Sequence, residues 1–112
     1  MIYYIESDAK ALRQLVERQV LAWPKVTMRR MFGCPAYLAD GKLFAFLVTH
    51  GIVITQVRKR DREELEAKYT VEPFRAGERE IERWVQVTVD DLERIDRVMA
   101  FVRKSYDTVM RY

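Results

Sequence analysis

A chain of 112 residues with 20 Lys and Arg against 17 Asp and Glu has a formal charge of +3, and its length suits one domain, residues 1–112, around one core. An apolar fraction of 49% beside 33% charged residues excludes a disordered chain, and a lone cysteine, Cys34, excludes an internal disulfide. The longest apolar run, Leu43 to Val48, is far below the roughly 20 residues that cross a bilayer, so no membrane association is expected.

The N-terminal stretch Met1 to Ile5 lacks a basic region and is soon followed by Glu6 and Asp8, unlike a signal peptide. With the unpaired cysteine, this predicts a cytoplasmic protein. Ser7 is a candidate N-cap, with Asp8 at the positive end of the helix dipole. Leu12, Leu15, Val16 and Val20 then recur at helical spacing, and Pro24 disfavours helical geometry at Trp23 and ends the element.

The middle of the chain predicts strands. Val26 to Phe32 is rich in β-branched and large residues. Ala36 to Leu38 and Leu43 to Thr49 flank Asp40-Gly41, a dipeptide suited to a tight hairpin. His50-Gly51 is a second turn before Ile52 to Val57, giving a meander of three or four antiparallel strands. Phe44 and Phe46 are expected on one face of their strand and Leu43, Ala45 and Leu47 on the other, so both faces are apolar. Such a strand lies between two layers or under another subunit.

Asp61 and Glu64 have capping-box spacing at the start of a second helix, whose apolar face is Leu65 and Tyr69. Glu72-Pro73-Phe74 and Ala76-Gly77 read as an irregular connection, and Trp84 to Thr88 as a further strand. Thr88 and Asp91 mark the start of a long last helix, from about Val89 towards Met110. Its stripe is Leu92, Ile95, Val98, Met99, Val102, Tyr106 and Val109. Helices at both ends with strands between them predict an α+β domain whose helices pack mainly on one face of the sheet.

Arg30-Met31-Phe32-Gly33, then Gly41 and Phe44, are followed in order by Asp61 to Leu65, Phe74, Gly77, Trp84-Val85 and Lys104-Ser105-Tyr106. In this order the chain resembles the TfoX N-terminal domain family over roughly Ala9 to Val109. The resemblance implies a two-layer domain with a twisted antiparallel sheet, and a relation to bacterial regulators of natural competence that act with the transcription machinery. Two departures are visible. The chain ends where the second, helical domain of those regulators would begin, which weighs against a competence role, and Gln56 stands where many relatives carry a basic strand residue.

Little in the sequence points to catalysis. Cys34 and His50 could form a nucleophile–base pair, but Cys34 adjoins Pro35 at an expected bend and His50 sits in a turn, which favours a packed cysteine and a solvated histidine. Two such residues fall short of the four ligands of a structural zinc site, so no metal is expected. Ser7 and Ser105 lie outside any strand-to-helix elbow, and Gly33, Gly41, Gly51 and Gly77 are isolated rather than a phosphate-binding loop. Glu63, Glu64 and Glu66, beside Arg62 and Lys68, read as a solvated helix face. No enzyme activity and no cofactor are expected.

Among the basic residues, Arg58-Lys59-Arg60 could together grip a phosphate backbone, with Arg30 as helper, although Asp61, Glu63 and Glu64 follow at once. Arg29 and Arg30 point to opposite faces of a strand and cannot share a patch. The functional expectation is a non-enzymatic binding or regulatory domain working through protein contact, with a partner or a second copy. Its family motif, Arg30, Met31, Phe32, Gly33, Gly41 and Trp84, is expected to be structural, with Arg30, Phe32 and Gly33 shaping the first hairpin. The alternative is nucleic-acid binding through the basic loop, and a small-molecule pocket comes third because the sequence offers it no polar anchor.

Overall fold

In the computed structural model, which describes residues 1–112, a first helix α1 (Glu6–Val20) leads into four strands, β1 (Val26–Met31), β2 (Cys34–Ala39), β3 (Lys42–Val48) and β4 (Gly51–Ile54). A helix α2 (Lys59–Lys68), strands β5 (Val71–Ala76) and β6 (Arg79–Thr88), a 3₁₀ turn (Leu92–Arg94) and the last helix α3 (Ile95–Met110) complete the chain. The six strands form one antiparallel sheet in the order β1-β2-β3-β4-β6-β5. No helix is long and apolar enough to cross a membrane.

The apolar spacing of α1 buries Ala9, Leu12, Val16 and Val20. The helix begins at Glu6 rather than after Ser7. The chain before it is tied to the end of β3, where Thr49 N–H donates to the Tyr3 carbonyl at 3.1 Å and Ile5 N–H donates to Thr49 Oγ1 at 3.0 Å. Across the sheet interface, the Tyr37 hydroxyl donates to Glu17 Oε2 at 2.7 Å, which fixes α1 against β2. Arg13 bonds Glu17 at 2.9 Å and also pairs with Glu6, so the buried phenol ends in a compensated network. Burial and this carboxylate hold the Tyr37 hydroxyl well above the usual phenol range.

In β3 the register breaks. Tyr37 faces Ala45 while Leu38 faces Leu43, which leaves Phe44 as the extra residue of a β-bulge. The bulge reverses the expected pairing of Phe44 and Phe46 on one face. Phe44 packs on Tyr106 of α3 and on Trp23, with ring centroids 5.5 and 6.1 Å away. Phe46 meets Phe74, Trp84 and Phe32 at 5.0, 5.6 and 6.4 Å. Buried Ser105 in α3 clasps the bulge: its hydroxyl donates to the Phe44 carbonyl at 2.7 Å and accepts from Gln56 N–H at 3.2 Å. Because Gln56 is held this way, the chain has already left the sheet after Ile54, earlier than Val57.

The second apolar face is covered by the protein's own chain. Phe32, just after edge strand β1, lies 5.7 Å from Phe74 on the opposite edge strand β5, so the sheet curls until its two edges nearly meet. Tyr3 bridges them, with its ring 5.9 Å from Phe32 and its hydroxyl accepting from Gly77 N–H at 2.6 Å. Phe46 therefore sits at the bottom of an aromatic bowl.

Three other expectations change. Glu72-Pro73-Phe74 belongs to a strand rather than an irregular connection; Pro73 is tolerated because β5 pairs on one side only, and β6 is accordingly twice as long as Trp84 to Thr88. α2 starts at Lys59 with Arg58 as an N-cap whose side chain makes no capping bond, since Asp61 pairs with Lys104 at 3.1 Å instead. α3 begins only at Ile95. Val89 N–H is still bonded to the His50 carbonyl at 2.8 Å, and Asp91 caps the 3₁₀ turn by accepting from Glu93 N–H at 3.0 Å.

Candidate functional site

Two surface regions combine unusual geometry with chemistry. One is the β1–β2 hairpin. Met31 pairs with Cys34, and the two residues between them have φ of +56° at Phe32 and +77° at Gly33. Both turn positions thus require the left-handed region, which Gly occupies freely and a bulky aromatic residue rarely does. Arg30 Nη1 donates to the Gly33 carbonyl at 3.2 Å and braces the turn. One side of the Phe32 ring rests on the aromatic bowl, yet the residue is 45% exposed. Beside it, β1 is an open edge whose Met28 is 40% exposed.

The other region is a cleft of about 170 Å³ between the N-terminus of α2 and the end of α3. Arg58, Arg60, Lys104 and Arg111 line it together with the carboxylates of Asp61 and Asp107, and no hydrophobic residue takes part. Asp61 is engaged by Lys104 and Asp107 by Arg103, both at 3.1 Å, whereas Arg58, Arg60 and Arg111 join no ion pair. The structure therefore unites Arg58 and Arg60, leaves Lys59 and Arg30 outside, and adds Lys104 and Arg111. The last two do not stand out in the sequence, where the apolar stripe dominates α3. Their i,i+7 spacing, one helix face over two turns, was the available signal.

Cys34 and His50 are not joined by a hydrogen bond. Cys34 is fully buried at the start of β2, with Sγ 3.7 Å from the Phe32 carbonyl, and burial pushes its thiol up to about 11. His50 is exposed in the turn before β4. Ser105 is occupied with the Phe44 bulge. No group of three or more His, Cys, Asp or Glu is placed to hold a metal ion.

A family model, the TfoX N-terminal domain, matches residues 18–109 of the 112-residue chain. The chain belongs to the TfoX N-terminal domain family. No curated protein matches its sequence. In this TfoX N-terminal domain the stretch Arg30 to Gly33 forms the strained hairpin, Gly41 supplies a φ of +79° in the next one, and Trp84 walls the bowl against Phe46. The match begins inside α1 and ends at the last buried residue of α3, so it spans the whole sheet and the cleft residues Arg58, Arg60 and Lys104.

Proposed function

We propose that this TfoX N-terminal domain is a non-enzymatic regulatory module that works in the cytoplasm through protein contact, with the β1 edge and the Phe32 turn as its contact surface. Phe32 carries the reading. A bulky L-residue held at φ +56° costs about 1–2 kcal/mol against glycine or asparagine. Burial of the ring roughly offsets this and adds little beyond it, because 45% of the residue stays in solvent. A strained, half-exposed aromatic side chain beside an open strand edge offers contact area of the kind that anchors a partner.

The edge itself sets the partner's form. β5, the opposite edge, is blunted by Pro73, whereas β1 has no proline and exposes Arg29 and Arg30. An extended, acidic segment of a transcription-control protein suits it, added as a seventh strand whose alternate apolar side chains meet Met28 on the α1 face of the sheet and Phe32 on the bowl face. Pull-down with the tagged chain, set beside Met28→Asp, tests this. A partner recovered by the parent chain and lost by the variant supports the reading. A chain that recovers no partner, and stays monomeric in sedimentation at high concentration, overturns it.

A second reading, nucleic-acid binding, is favoured by the cleft in which Arg58 and Arg60 meet Lys104 and Arg111. Its test is fluorescence anisotropy with single- and double-stranded DNA between about 50 and 200 mM salt, where phosphate contacts give an affinity that falls steeply with salt. Absence of binding at the low-salt end removes it.

A further inference from the structure

The cleft has a more specific geometry than a basic patch. α2 is a ten-residue helix whose N-cap, Arg58, contributes no side-chain capping bond, and its first intrahelical bond is Arg62 N–H to the Arg58 carbonyl at 2.9 Å. The N–H groups of Lys59, Arg60 and Asp61 are therefore left without acceptors at the positive end of the helix dipole. Arg58 and Arg60 flank this end, and Arg111 reaches the same cleft from the end of α3. Three guanidinium groups free of ion pairs form a donor set matched to phosphate oxygens, since each presents a planar fork. Asp61 and Asp107 temper the field, but each carboxylate is already engaged by a cation.

The cleft also has an outlet. Gln56 lines both it and an adjoining open groove of about 370 Å³, whose walls include Leu43, Val57 and Trp84, with Arg83 at the rim. One side of Gln56 is thus polar and cationic, and the other offers the aliphatic and aromatic side chains of Leu43, Val57 and Trp84. This succession, phosphate donors followed by an aromatic and aliphatic wall, matches a nucleotide unit: a charged phosphate attached to a flat base.

We propose that the cleft between α2 and α3 binds the phosphate of a nucleotide unit, with Arg58, Arg60 and Arg111 as its donors and the groove at Trp84 receiving the base. This rests on the nucleic-acid reading for its charge argument and adds a defined site. The same phosphate chemistry is offered by a free nucleotide and by a single strand. A duplex, whose bases are stacked inside, cannot place one in the groove.

The test uses the full chain, a labelled 12-nucleotide oligothymidylate, and adenosine monophosphate as competitor. Arg58→Ala with Arg111→Ala is the site variant, and Lys10→Ala with Arg18→Ala is a charge-matched control on exposed α1 positions. Circular dichroism establishes that both variants are folded. The expected result is about a tenfold or greater loss of oligonucleotide affinity in the site variant, with a log–log salt slope shallower by roughly 1.4, while the control stays near the parent chain. Displacement by millimolar adenosine monophosphate assigns the site to free nucleotides as well; failure to displace confines it to strands. Equal loss in the site variant and the control, or none in either, overturns the site while leaving nucleic-acid binding standing. No binding of either ligand at about 50 mM salt overturns both.

Discussion

Asp40-Gly41 and Phe32-Gly33 close neighbouring hairpins with the same backbone: φ is +52° and +79° in the first, +56° and +77° in the second. The first pair is what a two-residue turn of this hand favours, because a short polar side chain tolerates the left-handed region and glycine enters it without penalty. The second places a phenyl ring where asparagine or aspartate would serve the backbone better. Their surroundings differ accordingly. Asp40 stands in solvent, whereas Phe32 lies within 6.4 Å of Phe46, 5.7 Å of Phe74 and 5.9 Å of Tyr3. The contrast separates turn chemistry from tertiary demand: the ring has no local reason to be in the turn, so the reason lies in what it touches, in this chain or in a partner.

The most severe way to break the contrast is to remove the floor beneath Phe32. Phe46 is fully buried at the base of the bowl, so Phe46→Ala should cost about 3–5 kcal/mol, read as the shift in urea unfolding free energy. Next come the glycines. An added Cβ at Gly33 or Gly41 meets no atom within 4 Å, so the penalty of Gly→Ala is backbone strain alone, about 1–2 kcal/mol and similar at the two sites. Unequal losses would show that the two turns are not equivalent in backbone demand. Gly51 is different in kind, since its Cβ would run into the Val87 carbonyl across β4 and β6. A smaller effect is expected for Asp40→Phe. It recreates the Phe-Gly turn without a seat for the ring and should destabilise by about 1 kcal/mol in the same assay.

These residues also show how far the sequence could be read. Asp40-Gly41 announced its hairpin because local chemistry and backbone demand agree there, and the long stripe of α3 was plain for the same reason. The Phe32-Gly33 turn was legible in part: Gly33 marks a turn and Arg30, Phe32 and Gly33 are expected to shape the first hairpin, but a phenylalanine after Arg30-Met31 continues a strand pattern and only the tertiary bowl puts it in the turn itself. The bulge at Phe44 was illegible: a one-residue insertion in register leaves no compositional trace, and it moved Phe44 to the helix side. The strand β5 was masked by Pro73, which reads as a breaker until its edge position is known. Of the cleft, Arg58 and Arg60 were visible as a run. Lys104 and Arg111 required knowing that the end of α3 packs beside the start of α2.

The mildest substitution is the one that decides what the comparison means. Phe32→Asn removes a ring that is 45% exposed, which loses about 1–1.5 kcal/mol of burial, and restores a residue suited to φ +56°, which returns about 1 kcal/mol. The two terms nearly cancel, so the urea midpoint should move by less than the change for Asp40→Phe. A near-neutral result means that the fold gains almost nothing from the ring, and the same variant should then lose any partner that the parent chain recovers in pull-down. A loss of about 3 kcal/mol or more would instead make Phe32 a wedge that closes the bowl. The strain at the turn would then be offset by packing alone, and the β1 edge would lose its aromatic anchor as a reason to be read as a contact surface.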